Sequence, residues 1–150
     1  MLKKYEVDKG FEDITLCLKW LREKPQCNGL VTVIGFGIGA NLAYLAGLWL
    51  DIETTVCYDF EGGNFFQEND IMIRRPMLIH PNKSINNFLK KGKKQEFINN
   101  IKNINLQVYE NCLNNFNQMS DKNYNHESNK VSFDITLDHI KKAFAKPHST

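Results

Sequence analysis

In the stretch LVTVIGFGIGANLAYLAG, residues 30–47, three glycines frame a turn between a β-branched apolar run and an apolar helical pattern. Two chemistries use a strand, a glycine turn and a helix in that order. In the dinucleotide fingerprint G-x-G-x-x-G/A, glycines let the backbone approach a pyrophosphate seated on the helix N-terminus. Gly35, Gly37 and Ala40 fit it, and Asp59 falls at the end of the next strand, where an acidic residue would hold the ribose of NAD or FAD. In the nucleophile elbow, G-x-nucleophile-x-G, the turn projects a Ser or Cys from the top of a sheet. Gly35 and Gly39 are then the framing glycines, expected because the helix packs close to the strand, and the nucleophile position is Gly37. An elbow residue sits at positive φ, which glycine adopts freely and other residues only with strain. Gly37 therefore suits the turn and removes its reactive atom.

Other chemistry-bearing residues are scattered. Cys57 lies in an expected strand and reads as an inert buried thiol, whereas Cys112 lies later in the chain and reads as structural. His80 ends an expected strand at the ligand-bearing edge of a parallel sheet. It is placed to act as a base, but a capping or solvent-bonded role is the simpler expectation. His126, in a polar loop, and His139, beside Asp138 in the last helix, are expected at the surface. Asp59 outside a dinucleotide site is expected to be solvated. Tyr58, Phe60, Phe65 and Phe66 form an aromatic cluster that fits core packing or the lining of an apolar pocket. The four cysteines, at 17, 27, 57 and 112, contain no C-x-x-C, so neither a metal site nor a disulfide framework is indicated.

The elements that must position these residues alternate. Helical spacing over 10–23 (Phe11, Ile14, Leu18, Leu21) ends at Pro25 and Asn28-Gly29. Strands are expected at 30–34, 54–58, 76–80 and 106–109, with helices at 40–50, 86–100 and 133–145 and a polar loop over 114–129. Alternating strands and helices make an α/β fold: a mainly parallel sheet of about four strands flanked by helices. The 150 residues, without a repeat or an evident linker, read as one domain over 1–150. Nineteen Lys and Arg against 17 Asp and Glu leave a net charge of +2, too balanced to indicate nucleic acid. The opening MLKKYEVDKGFEDI lacks a leader's apolar core, and no apolar run reaches bilayer length. A cytoplasmic protein that does not enter a membrane is the expectation.

The order of these features resembles the dienelactone hydrolase family of α/β-hydrolases. FEDITLCLKWLRE leading into VTVIGFGIGANLAYLAG is similar to the family's helix and G-[FY]-C-x-G-G elbow. DIETTVCYDF is similar to its next strand, RRPMLIH to the strand before its catalytic Asp, and LQVYENCLNNF to its Tyr-led segment ending in His-x-Phe. The resemblance implies a partial α/β-hydrolase fold. It also implies a family activity, hydrolysis of a lactone or ester through an acyl-enzyme, with no cofactor and no metal. Carried over by position, the nucleophile falls on Gly37, the acid on Ser84 or Ile85, the base on Asn114 and the elbow's oxyanion N–H on Ile38. An Asn can neither take the nucleophile's proton nor carry the resulting charge. The implied protein is catalytically inactive, with an active hydrolase using an unmapped residue as the alternative. A small apolar or ester-like ligand is the implied partner chemistry. The family's domain also begins with strands and an oxyanion loop ahead of the helix at 10–23. Their absence here implies a truncated domain with an open strand edge at 30–34, and self-association or a separately encoded partner at that edge.

Overall fold

The computed structural model describes residues 7–60, 73–83, 103–109 and 112–146. Seven elements run in chain order: α1 (Val7–Arg22), β1 (Thr32–Phe36), α2 (Ile38–Trp49), β2 (Thr54–Phe60), β3 (Met77–Pro81), β4 (Ile104–Leu106) and α3 (His126–Ala145). The strands form one sheet in the order β1-β2-β3-β4, every pair parallel. Parallel neighbours need crossovers, and α2 supplies the one between β1 and β2. The α/β expectation therefore holds, with the sheet sandwiched between α1 and α2 on one face and α3 on the other.

Each face has its own core. Ala40, Ala43 and Tyr44 of α2 pack with Cys57, Phe60, Met77, Ile79 and Leu106. On the other face Val56, Tyr58 and Leu78 pack with Cys112, Phe116 and, from α3, Ile135 and Ile140. Alanines and a glycine bring α2 close to the sheet: a Cβ at Gly47 would stand 2.7 Å from both Met77 Cε and Thr55 Oγ1. α1 lays Ile14 and Leu18 against Val31, Ala46 and Ile52, covering the end of the sheet where β1 begins.

Several boundaries differ from those read in the sequence, for local reasons. β1 runs from Thr32 to Phe36, because the parallel ladder to β2 continues through Gly35 and Phe36. β4 covers Ile104–Leu106, ahead of the apolar run at 106–109, since Met77 to Ile79 are its partners. α3 begins at His126, within the span read as loop. Its first turns are polar, so hydrophobic spacing does not reveal them, but Asn125 caps them by accepting the Ser128 N–H at 2.9 Å. The helix expected at 86–100 lies outside the described residues.

One irregularity shapes the end of the sheet where the strands exit. β2 carries a bulge between Tyr58 and Phe60, at which Asp59 adopts φ 53°. Two residues apart on a regular strand, Tyr58 and Phe60 would share a face. The extra residue sends Tyr58 to the α3 side and Phe60 to the α2 side, where its ring stacks on Tyr44 at 5.0 Å. Both rings belong to the core, and Phe65 and Phe66 lie outside the described residues.

Candidate functional site

Between β1 and α2 the chain turns at Gly37, which has φ 54° and ψ −120° and stands as the N-cap of the helix. Its N–H donates to Tyr58 O at 3.0 Å, tying the turn to the exit end of β2, and its carbonyl accepts the Ala40 N–H at 3.0 Å. The framing glycines are not equivalent. A Cβ at Gly35 would fall on the Gly39 carbonyl and 2.7 Å from Ala40 N, so position 35 admits only glycine without backbone movement. A Cβ at Gly39 meets nothing within 4 Å; its contribution is the backbone that Gly35 approaches. Among the described residues a Cβ at Gly37 also meets nothing within 4 Å. The apex therefore points into open space, and packing does not dictate the missing side chain. The next residue, Ile38, begins α2, where its N–H belongs to the positive end of the helix.

The segment around Asn114 comes to the same end of the sheet. Asn114 Oδ1 accepts the Lys83 N–H at 2.9 Å, which places it beside the chain leaving β3. Ser84 and Ile85 lie outside the described residues. The Asn114 carbonyl accepts from Asn123 Nδ2, and Asn115 Nδ2 donates to Asp121 Oδ2 at 3.0 Å, so the loop is fastened to itself.

Asp59 is the site residue that sequence reasoning misplaced. Expected in solvent, it is 4% exposed. Its Oδ2 accepts the Asn115 N–H at 2.9 Å, and Asn115 shares its left-handed backbone at φ 63°. Its Oδ1 is buried without a hydrogen-bond partner. Burial raises the affinity of this carboxyl for a proton; the Asn115 N–H opposes that rise and the Asp121 charge adds to it. The peptide that joins Tyr58 to Asp59 also accepts the Gly37 N–H, so Asp59, Gly37 and Asn115 meet at one place. The carboxylate is turned to the 112–118 loop. The signal in the sequence would have been the Asp itself, a poor strand former interrupting TTVCYDF.

His80 is neither a cap nor solvent-bonded. It is 0% exposed and stacks on Tyr58 with ring centroids 4.2 Å apart. Register aligns Phe36, Tyr58 and His80 across three strands, and Phe36 stacks on Tyr58 at 4.9 Å. Four groups complete a polar chain around the imidazole. Tyr58 O–H donates to Ser132 O at 3.2 Å, because a carbonyl only accepts. Thr136 must then donate to Tyr58 at 2.7 Å and accept from His80 Nε2–H at 3.0 Å. That leaves His80 Nδ1 to accept from Tyr109 O–H at 2.8 Å. Every proton has one place to go, and the imidazole is neutral. Burial, together with the nearby His139, pushes its pKa down to about 3. A base so weakened and so fully bonded is a structural group that pins α3 and Tyr109 to the sheet.

The remaining candidates separate. Cys57 is buried in the α2-side core, where burial pushes its thiol pKa up. Cys112 is buried, and its Sγ–H donates to Ser128 Oγ at 3.0 Å. His126 is exposed, at the start of α3 instead of in a loop. His139, expected at the surface beside Asp138, is half-buried: its Nε2 bonds Thr54 Oγ1 at 2.7 Å at the opposite end of the sheet from Gly37. Among the described residues, no group of three or more His, Cys, Asp or Glu forms a metal cluster. No helix among them is long and apolar enough to cross a membrane.

A parallel sheet between helices, with a glycine turn leading into α2 at its exit end, defines an α/β protein. The sequence model of the dienelactone hydrolase family matches residues 1–144, and the chain belongs to that family. Among curated proteins none matches the chain.

Proposed function

We propose that this chain is a catalytically silent dienelactone-hydrolase-like protein whose elbow serves structure and binding in place of acyl transfer. The observation that carries the reading is the apex itself. Gly37 holds φ 54° with open space where a side chain would stand, so the turn is built while the nucleophile is absent. Asn114, at the base position, offers an amide engaged with the Lys83 backbone. Without a nucleophile and a base, the Ile38 N–H has no oxyanion to stabilise. What is left beside Gly37 is an exposed apolar pair, the Phe36 ring and the Ile38 side chain, suited to a small ester-like or apolar ligand. Free thiols at all four cysteines fit a reducing compartment, and the cytoplasm is the location we assign.

A second reading follows from Asp59. A buried carboxyl with raised proton affinity, held in strained backbone beside the elbow, has the properties of a general base that would activate water directly. Hydrolysis of p-nitrophenyl acetate by the wild type, Gly37→Ala and Asp59→Asn proteins separates the two. The silent-elbow reading expects all three to equal the buffer rate. Saturable turnover retained in Gly37→Ala overturns it, and loss of that turnover in Asp59→Asn assigns the activity to the carboxyl.

A further inference from the structure

The exit end of the sheet accounts for the elbow, but a cavity of about 260 Å³ lies at the other end, where β3 and β4 begin and α3 ends. Its apolar floor is Pro76, Ile104 and Ala143, and its rim carries His139, Lys142 and Lys146. Among the described residues no carboxylate lines it. Asp138, next to His139 in the chain, pairs with Lys142 at 2.6 Å, whereas Lys146 makes no ion pair among the described residues. The orientation of His139 is fixed by its partner. Thr54 Oγ1 donates to Pro76 O at 2.6 Å, so it accepts from His139 Nε2–H at 2.7 Å, and Nδ1 is left as the basic atom. Burial first, and then Lys142 and Lys146, lower the proton affinity of that ring, while Asp138 raises it. An apolar floor under a cationic rim asks for an occupant with the opposite pattern. Ligand cavities commonly run from about 300 to 1,000 Å³. At about 260 Å³ this space falls just below that range and admits one small ring or a short chain.

We propose that this cavity binds a small monocarboxylate with an apolar body, its hydrocarbon on Pro76, Ile104 and Ala143 and its charge toward Lys146 and Lys142. The site is independent of the elbow and of any hydrolytic activity. The apolar floor excludes water from one side of the ligand, which strengthens the attraction of the lysines for its charge. The ligand's charge would lie at the C-terminal end of α3, where the helix dipole opposes an anion, so affinity falls in the weak range of a single-ring ligand.

The test is an amide NMR titration of the full chain with sodium benzoate, with benzyl alcohol and inorganic phosphate in parallel. Expected are saturable benzoate shifts at residues 103–105 and 139–146, with Gly35 to Gly39 unmoved. Benzyl alcohol and phosphate should each bind far more weakly, since each lacks half of the pattern. Lys146→Gln, an exposed change that leaves the fold intact, should weaken benzoate about threefold, the yield of one partly solvated charge. Absence of saturable shifts overturns the proposal. So does binding of phosphate or benzyl alcohol as tight as that of benzoate, or movement at Gly35 to Gly39 alone, which assigns the ligand to the elbow.

Discussion

Replacing the three elbow glycines one at a time by alanine should produce three different outcomes, and their order is set by what each new methyl group meets. At position 35 the Cβ would overlap the Gly39 carbonyl and stand 2.7 Å from Ala40 N, well inside the 3.5–4.0 Å of a comfortable contact. Both obstacles are backbone, so β1 and the first turn of α2 must part, straining the Ala40 N–H to Gly37 O bond. Overpacking of a dense interior costs about 1–3 kcal/mol, and with no flexible side chain to yield, the upper end, about 3 kcal/mol, applies. At position 37 there is room, and only the strained backbone (φ 54°, ψ −120°) is penalised, by about 1–2 kcal/mol, the lower part of the range for such positions. At position 39 there is room and a helical backbone, so alanine is neutral or stabilising by up to about 1 kcal/mol. For a chain of this size 1 kcal/mol moves Tm by about 2–4 °C. The Gly35→Ala protein should therefore melt about 6–12 °C below wild type and Gly37→Ala about 2–8 °C below. Gly39→Ala should melt at or slightly above wild type. Urea unfolding followed by far-UV circular dichroism gives the same ranking in free energy, provided the m values agree. A Gly35→Ala cost no larger than that of Gly37→Ala would refute the close approach of β1 and α2 at the elbow.

Three further outcomes follow. Gly37→Cys should add one thiol that reacts rapidly with a disulfide reagent, because the apex side chain points into open space, whereas Cys57 stays protected until unfolding. A new thiol as slow as Cys57 would mean that the apex is covered. Stability should fall on acidification because neutral His80 must be kept neutral. Its folded pKa of about 3 lies below the ordinary 6.5, so the unfolded chain binds the proton first as pH drops below 6.5. The loss from His80 reaches about 2 kcal/mol by pH 5, and His139, also lowered, adds to it in the same direction. Asp59, with its raised proton affinity, acts in the opposite direction in that range. Urea midpoints that do not change between pH 7 and pH 5 would contradict the buried neutral imidazole. Finally, β1 has a free edge among the described residues, and its α3-side face leaves Ile34 42% and Phe36 49% exposed. A second copy adding there would bury both, so Ile34→Lys should shift sedimentation toward monomer at high protein concentration. A wild-type protein that is already monomeric at those concentrations removes this expectation.

The sequence by itself determined the kinds of element and their order. A short β-branched apolar run bounded by glycines favours a buried strand, and glycines at 35, 37 and 39 announce a strand-to-helix turn that no bulky residue tolerates at its base. Those are local properties, carried by adjacent residues; the family resemblance came from the order of such segments along the whole chain, and it is that resemblance which sets the nucleophile position on Gly37. The polar start of α3 was not legible, because its helix rests on the Asn125 cap and on packing against β2 and β3 instead of on an apolar period. Nor were the environments of Asp59, His80 and His139. Each is a polar residue whose partner lies 56, 56 or 85 positions away, at Asn115, Thr136 and Thr54 respectively. Read alone, a polar side chain at a strand end or on a helix is expected in water, because burial without a partner costs too much. Tertiary structure supplied the hydrogen bonds to His80 and His139, and so decided that they are buried. For Asp59 it supplied one bond and a bulge, leaving one oxygen of a buried carboxyl unbonded beside the elbow.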